Sequence, residues 1–295
     1  MNQNCVLTFA LFAVLLCSMK MSGQVDALPS AERGKFSVIA TKKGQPVTDL
    51  RKEELQLVIG KQSHSISALT FGPSQPMRVG LLIDASGSQK TTWNSIISLA
   101  SGFLRHAINP GGEAFIAIFG DRTYMDARLT TNFSLLEEGL GRLVTVTPHG
   151  GTALYDALLT ACSLGEAGGP YRRVLVVVTD GQDNASRYTL AETMAVIEKT
   201  RTQLFFMGTF PDHPSGSVHR GFVVLRSMAD ATGGEVIPPS NVHQLEPAFD
   251  TIAALLHAEY TLEFQPDGVS AGKDANRIKI TCSRRGVKIA APETY

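Results

Sequence analysis

Five residues with oxygen side chains stand at three separated points of the chain, in an order that suits one kind of chemistry. Asp84, Ser86 and Ser88 lie in "VGLLIDASGSQK", Thr152 in "PHGGTALYDAL", and Asp180 in "TDGQDN". Sulfur and imidazole are absent from these positions, so a ligand held there would be a hard cation. Mg²⁺ takes near-octahedral oxygen coordination at about 2.0–2.1 Å and keeps several waters. Two carboxylates balance its charge, and three hydroxyls add ligands without adding charge. A metal held this way stays attractive to a further, external oxygen. Gly87 lets the backbone turn so that the flanking hydroxyls converge, and Gly150 and Gly151 give Thr152 the same freedom.

Each piece also has an ordinary structural explanation. Asp, Ser and Gly build turns and helix caps, Thr152 is placed to cap the helix that follows, and Asp180-Gly181 is a common turn pair. What favours the cation is placement, because every piece follows an apolar strand or opens a helix.

Those elements alternate regularly. "VGLLI" (79–83), "AFIAIF" (114–119), "RVLVVVT" (173–179), "QLFFMG" (203–208) and "EVI" (235–237) read as strands, mostly near-continuous apolar runs of the kind covered on both faces of a parallel sheet. "TYMDARLT" (123–130) reads as an added antiparallel edge strand. Between them, Trp93, Ile96, Ile97, Ala100, Phe103, Leu104, Ala107 and Ile108 repeat at three and four, a single buried helical stripe. "LLEEGLGRL", "ALYDALLTACSL", "TLAETMAVIEKT", "VVLRSMADAT" and "LEPAFDTIAALLHAEY" follow the same rule. The expected fold class is α/β, a doubly wound, mostly parallel sheet whose ligands bind beyond the carboxyl ends of the strands.

"DASGS", "GGT" and "TDG" in this order and spacing resemble the metal-ion-dependent adhesion site of the von Willebrand factor A (VWA) family. The resemblance covers about Val79 to His257, and no motif position departs from it. It implies that Ser86, Ser88 and Thr152 bind Mg²⁺ or Mn²⁺ directly, that Asp84 and Asp180 bind it directly or through water, and that the open position takes an Asp or Glu side chain of a protein partner. With its flanking segments, the chain is similar to bacterial secreted proteins of the VWFA-related type found in Acidobacteria.

Both flanks read as β structure. "FSVIAT", "LQLVIG" and "HSISALT" precede the α/β block, the last two joined at "GKQS" as a tight hairpin. "YTLEFQP" and "NRIKITCS" follow it, around a turn-rich "DGVSAGKDAN". The two flanks are expected to pair into a small β-sandwich. The domain reading is therefore a signal peptide over 1–27, an N-terminal β segment over 28–75, the α/β domain over 76–258, and a C-terminal β segment over 259–295.

The signal peptide rests on the apolar run Cys5–Cys17 and the small-residue site Val25-Asp26-Ala27, with cleavage after Ala27. The run is short for a membrane span, which needs about 20 apolar residues; an uncleaved anchor is the runner-up. Lys plus Arg and Asp plus Glu number 27 each, and no basic patch is interleaved with aromatics, so nothing points to nucleic acid. An exported protein with no membrane span in its mature chain is expected.

Cys162 lies in an apolar stretch that suits a buried free thiol, although an oxidising compartment would permit a bridge to Cys282. His149, Asp183 and Asp121 sit near the candidate loops, as rim or exposed turn residues. "NFS" at Asn132 and "NAS" at Asn184 match glycosylation sequons, without meaning in a bacterial chain. A dinucleotide GxGxxG and a serine-hydrolase GxSxG are both absent. Metal-assisted hydrolysis lacks a clear general base. The expectation is a non-catalytic binding and adhesion module, with a structural scaffold and a metal-dependent hydrolase as alternatives.

Overall fold

The computed structural model describes residues 34–165, 168–209, 216–266 and 276–294. The proposed signal peptide and most of the turn-rich "DGVSAGKDAN" segment lie outside them.

The chain opens with β1 (Gly34–Lys42) and the two-residue β2 (Gln45–Pro46), then β3 (Leu55–Ile59), β4 (Gln62–His64) and β5 (Ile66–Phe71). β3 and β4 form a hairpin, Leu57 facing His64 and Ile59 facing Gln62, but it turns at Gly60-Lys61, so Gln62 and Ser63 of the expected turn belong to β4. "HSISALT" is not one strand, however. It divides at Ser65, and β5 leaves the hairpin to join another sheet.

The α/β body follows: β6 (Met77–Asp84), α1 (Trp93–Ala107), β7 (Glu113–Phe119), β8 (Thr123–Thr130), α2 (Phe133–Leu143), α3 (Leu154–Gly165), β9 (Arg172–Thr179), α4 (Leu190–Thr200), β10 (Gln203–Gly208), α5 (Gly216–Thr232), β11 (Glu235–Ile237) and α6 (Leu245–His257). Its sheet runs β11-β10-β9-β6-β7-β8, parallel except for β8, which pairs antiparallel with β7 as the sequence predicted. All eight residues of β6 are buried, because helices cover both faces. Leu81 and Ile83 point into one layer with α1, α2 and α6, while Leu82 points into the other with α3, α4 and α5.

From β6 the chain winds outward to β7 and β8, then crosses back to β9 on the other side of β6. Strand order therefore reverses between β6 and β9, where a doubly wound sheet opens its crevice.

The chain closes with β12 (Glu259–Phe264), β13 (Ile278–Cys282) and β14 (Val287–Ala290). One sheet is β14-β1-β12-β5 with β2 beside β1, and the other is β13-β3-β4. Val38, Leu57, Tyr260, Leu262 and Phe264 share the core between them, so the two flanks build one sandwich.

Sandwich and body meet at a buried pair. Arg172 Nη1 lies 3.0 Å from Glu259 Oε2, and both side chains are almost fully enclosed. Arg172 also donates to Leu256 O at 2.7 Å, and the Ser37 hydroxyl donates to Glu259. Cys162 and Cys282 are not joined in a disulfide, the first lying buried on α3 and the second half-buried on β13. Among the described residues, no helix is long and apolar enough to cross a membrane.

Candidate metal centre

The five candidate residues fall on three loops at the carboxyl ends of β6, β9 and the segment entering α3, beside the point where strand order reverses. Asp84 is the last residue of β6 and is fully buried. Ser86, Thr152 and Asp180 are also buried, whereas Ser88 stands exposed at the lip. The result is a cup with carboxylates at its floor and one hydroxyl facing outward.

The loops are laced together. Ser86 N–H donates to Asp84 Oδ1 at 2.9 Å, and the Ser86 and Ser88 hydroxyls lie 3.1 Å apart. Gly87 N–H reaches Gly150 O at 3.3 Å, and His149 N–H reaches Ala85 O at 2.9 Å, so the first loop holds the second. Asp180 Oδ1 accepts from Gln182 N–H at 3.0 Å, closing an Asx turn.

Thr152 does not cap α3. Asp183 Oδ2 accepts from Tyr155 N–H at 3.1 Å, and Ser186 Oγ accepts from Asp156 N–H at 3.2 Å, so the loop after β9 supplies the cap. The Thr152 hydroxyl is spared that work. Asp183 is thus a half-buried capping residue. His149 is exposed, its Nδ1 2.9 Å from Thr147 O.

Thr179, outside the three motifs, also belongs to the cup. Its hydroxyl donates to Asp84 Oδ2 at 2.8 Å and accepts from Gly181 N–H at 3.2 Å. The available signal was a hydroxyl residue ending an otherwise apolar strand, directly ahead of Asp180. Gln89 was also missed. It is buried, and its Oε1 accepts from the Thr209 hydroxyl at 2.9 Å, joining the first loop to the end of β10.

Electrostatically the cup carries two enclosed acids. Burial pushes the Asp84 carboxyl up to about 6, against the pull of hydrogen bonds from Ser86 and Thr179, and the nearby Asp180 charge adds to the rise. Enclosed like charges of this kind are costly unless a cation offsets them. Among the described residues, no three His, Cys, Asp or Glu side chains gather into a metal-binding group. A cation here would therefore rest on two carboxylates supplemented by hydroxyls. That donor set fits Mg²⁺ or Mn²⁺ and leaves out the nitrogen and sulfur ligands that zinc prefers.

A cleft of about 630 Å³ lies at the opposite end of the sheet, beside Arg172, Gln203 and Glu259. It includes no residue of the cup, and neither does a second cleft beside β13 and β14.

No family model and no curated protein matches the sequence. Solved structures do resemble it. A von Willebrand factor type A protein from Catenulispora acidiphila is 12% identical with a TM-score of 0.55, over 89% of this chain and 73% of that one. Proximal thread matrix protein 1 from the mussel byssus, with a zinc-occupied MIDAS motif, is 17% identical with a TM-score of 0.52, over 66% of this chain and 48% of that one. The pilus adhesin SpaC from Lactobacillus rhamnosus GG, in an open conformation, is 11% identical with a TM-score of 0.51, over 91% and 49%. At these identities the likeness is one of fold: the α/β body has the fold of the von Willebrand factor A domain.

Proposed function

We propose that the chain is an exported, non-catalytic binding module whose cup is an intact metal-ion-dependent adhesion site. Asp84, Ser86, Ser88, Thr152 and Asp180 would hold Mg²⁺ or Mn²⁺, and the cation would draw an Asp or Glu side chain of a protein partner. The observation that carries this reading is the burial of Asp84 and Asp180 together with the hydroxyl residues Ser86 and Thr152, whose side chains cap no helix, and with Ser88 open to the outside. An exposed rim around a buried charged floor suits a macromolecular partner better than an enclosed small substrate.

A binding role is favoured over hydrolysis because the nearby titratable side chains already have other partners. Asp183 caps α3, Asp121 accepts from Gly151 N–H, and the His149 ring lies against a backbone carbonyl. A metal-occupied site in the mussel matrix protein, and the adhesin among the similar structures, agree with the same reading. Export rests on the apolar N-terminal run and its small-residue site, with the α/β domain over 76–258 carried between the two β segments.

Calorimetric titration of Mg²⁺ and Mn²⁺ into the wild-type chain and Asp84→Ala tests the metal, and capture from an envelope extract with and without chelator tests the partner. Metal-dependent heat in the wild type alone is expected. No heat and no metal-dependent thermal shift in the wild type would overturn the reading.

A further inference from the structure

The glycine pair ahead of Thr152 has a purpose beyond flexibility. Gly150 takes a positive φ of 78°. A Cβ on Gly150 would lie 2.4 Å from Asp121 Oδ2. One on Gly151 would lie 2.6 Å from Asn184 Oδ1 and 2.8 Å from Asp121 Oδ1. The side-chain oxygens of two residues on different loops thus converge on a stretch of backbone that only glycine leaves open.

Their approach makes two successive hydrogen bonds. Gly151 N–H donates to Asp121 Oδ1 at 2.8 Å, and Thr152 N–H donates to Asn184 Oδ1 at 2.8 Å. Asn184 also returns its own N–H to Thr152 O at 3.0 Å, joined by Ala185 N–H at 3.1 Å. Ala153 N–H then reaches Gly120 O at 2.7 Å, beside Asp121. The segment is held from the β7 side and the β9 side together.

We infer that Asp121 and Asn184 are positioning residues which fix the Thr152 loop in place before any cation or partner arrives. Neither belongs to the five cup oxygens. Their part in metal binding rests on the proposed function, but the ordering itself is a property of the chain without metal. A loop already held loses its backbone freedom on folding, so that loss does not fall on the binding step. Two N–H groups at the mouth of α3 are also consumed, which leaves the attraction of an anion there to the cation.

The test is amide hydrogen exchange on the full chain in chelator, paired with Mn²⁺ titration, on Asp121→Ala, Asp121→Asn and Asn184→Ala. Exchange at Gly151 should accelerate about tenfold in Asp121→Ala, and exchange at Thr152 similarly in Asn184→Ala. Asp121→Asn keeps the acceptor oxygen and should stay within about threefold of wild type. Mn²⁺ affinity should fall about tenfold in both alanine variants, with the melting transition still cooperative. Unchanged exchange in both alanine variants, or accelerated exchange with wild-type Mn²⁺ affinity, would overturn the inference. Exchange that responds as expected in a wild-type chain that takes up no Mn²⁺ would uphold the loop ordering and defeat the metal reading instead.

Discussion

Thr179 donates its hydroxyl hydrogen to Asp84 Oδ2 across 2.8 Å, so the final residues of two neighbouring strands meet inside the fold. The bond helps to satisfy a carboxylate that is fully buried. Thr179→Val keeps the shape and removes the donor. It should lower stability by about 1–3 kcal/mol in urea unfolding, while Thr179→Ser restores most of it. Equal midpoints for Thr179→Val and wild type would show that the bond contributes nothing.

The two floor carboxylates should make the cup a source of instability when no metal is supplied. Asp180→Asn keeps an acceptor oxygen for Gln182 N–H and removes the charge that adds to the effect of burial on the Asp84 carboxyl. In chelator this variant should melt at or above the wild-type temperature, and addition of Mg²⁺ should stabilise the wild type alone. A local cost retained in the wild-type sequence is the mark of a functional position. Identical Mg²⁺ responses in the two chains would refute the prediction.

Acid should loosen the sandwich through Glu54. Arg284 donates to Glu54 Oε1 at 2.9 Å and to Oε2 at 2.7 Å, and these bonds draw the carboxyl down to about 2 from an ordinary value of 4.5. A depressed carboxyl contributes stability that is complete above the unfolded value and is lost as pH falls through the folded one. The contribution should therefore persist at pH 5 and fade between about 4.5 and 2. Arg284→Met should flatten that limb of the denaturation midpoint measured against pH.

The Arg172–Glu259 pair should behave as a buried charge couple. Glu259→Gln alone leaves the guanidinium without its counter-ion and should cost about 3–5 kcal/mol, whereas Arg172→Met with Glu259→Leu should cost much less. A double-mutant cycle by chemical denaturation measures the coupling, and additive single effects would count against it.

The central strands and the three polar loops were legible in the sequence because both signals are local. "VGLLID" announces a covered strand and its polar end within six residues. The edge strand at 123–130 was visible for the same reason. The break at Ser65 was not, because alternation runs smoothly through "HSISALT" and only the choice between two sheets divides it. Asp121 stood near the candidate loops in the sequence, but Thr179, Asp121 and Asn184 make bonds that were hidden differently. Each acts on a residue some 30 to 95 positions away, and their own neighbourhoods read as a strand end and two turns.

The place of β1 has a consequence for the order of folding. It lies between β12 and β14, so apart from the short β2 beside its last two residues, its hydrogen-bonding edges are met by the far end of the chain. Ser37 and its partner Glu259 are 222 residues apart. The α/β body, by contrast, joins each strand to the next through at most two helices. Closing a loop of such length is slow, so the body should assemble early while β1 and β5 wait with open edges. A chain shortened before β12 would keep every cup residue yet leave β5 unpaired and β1 held only by the short β2, and aggregation rather than loss of the cup would be its first defect.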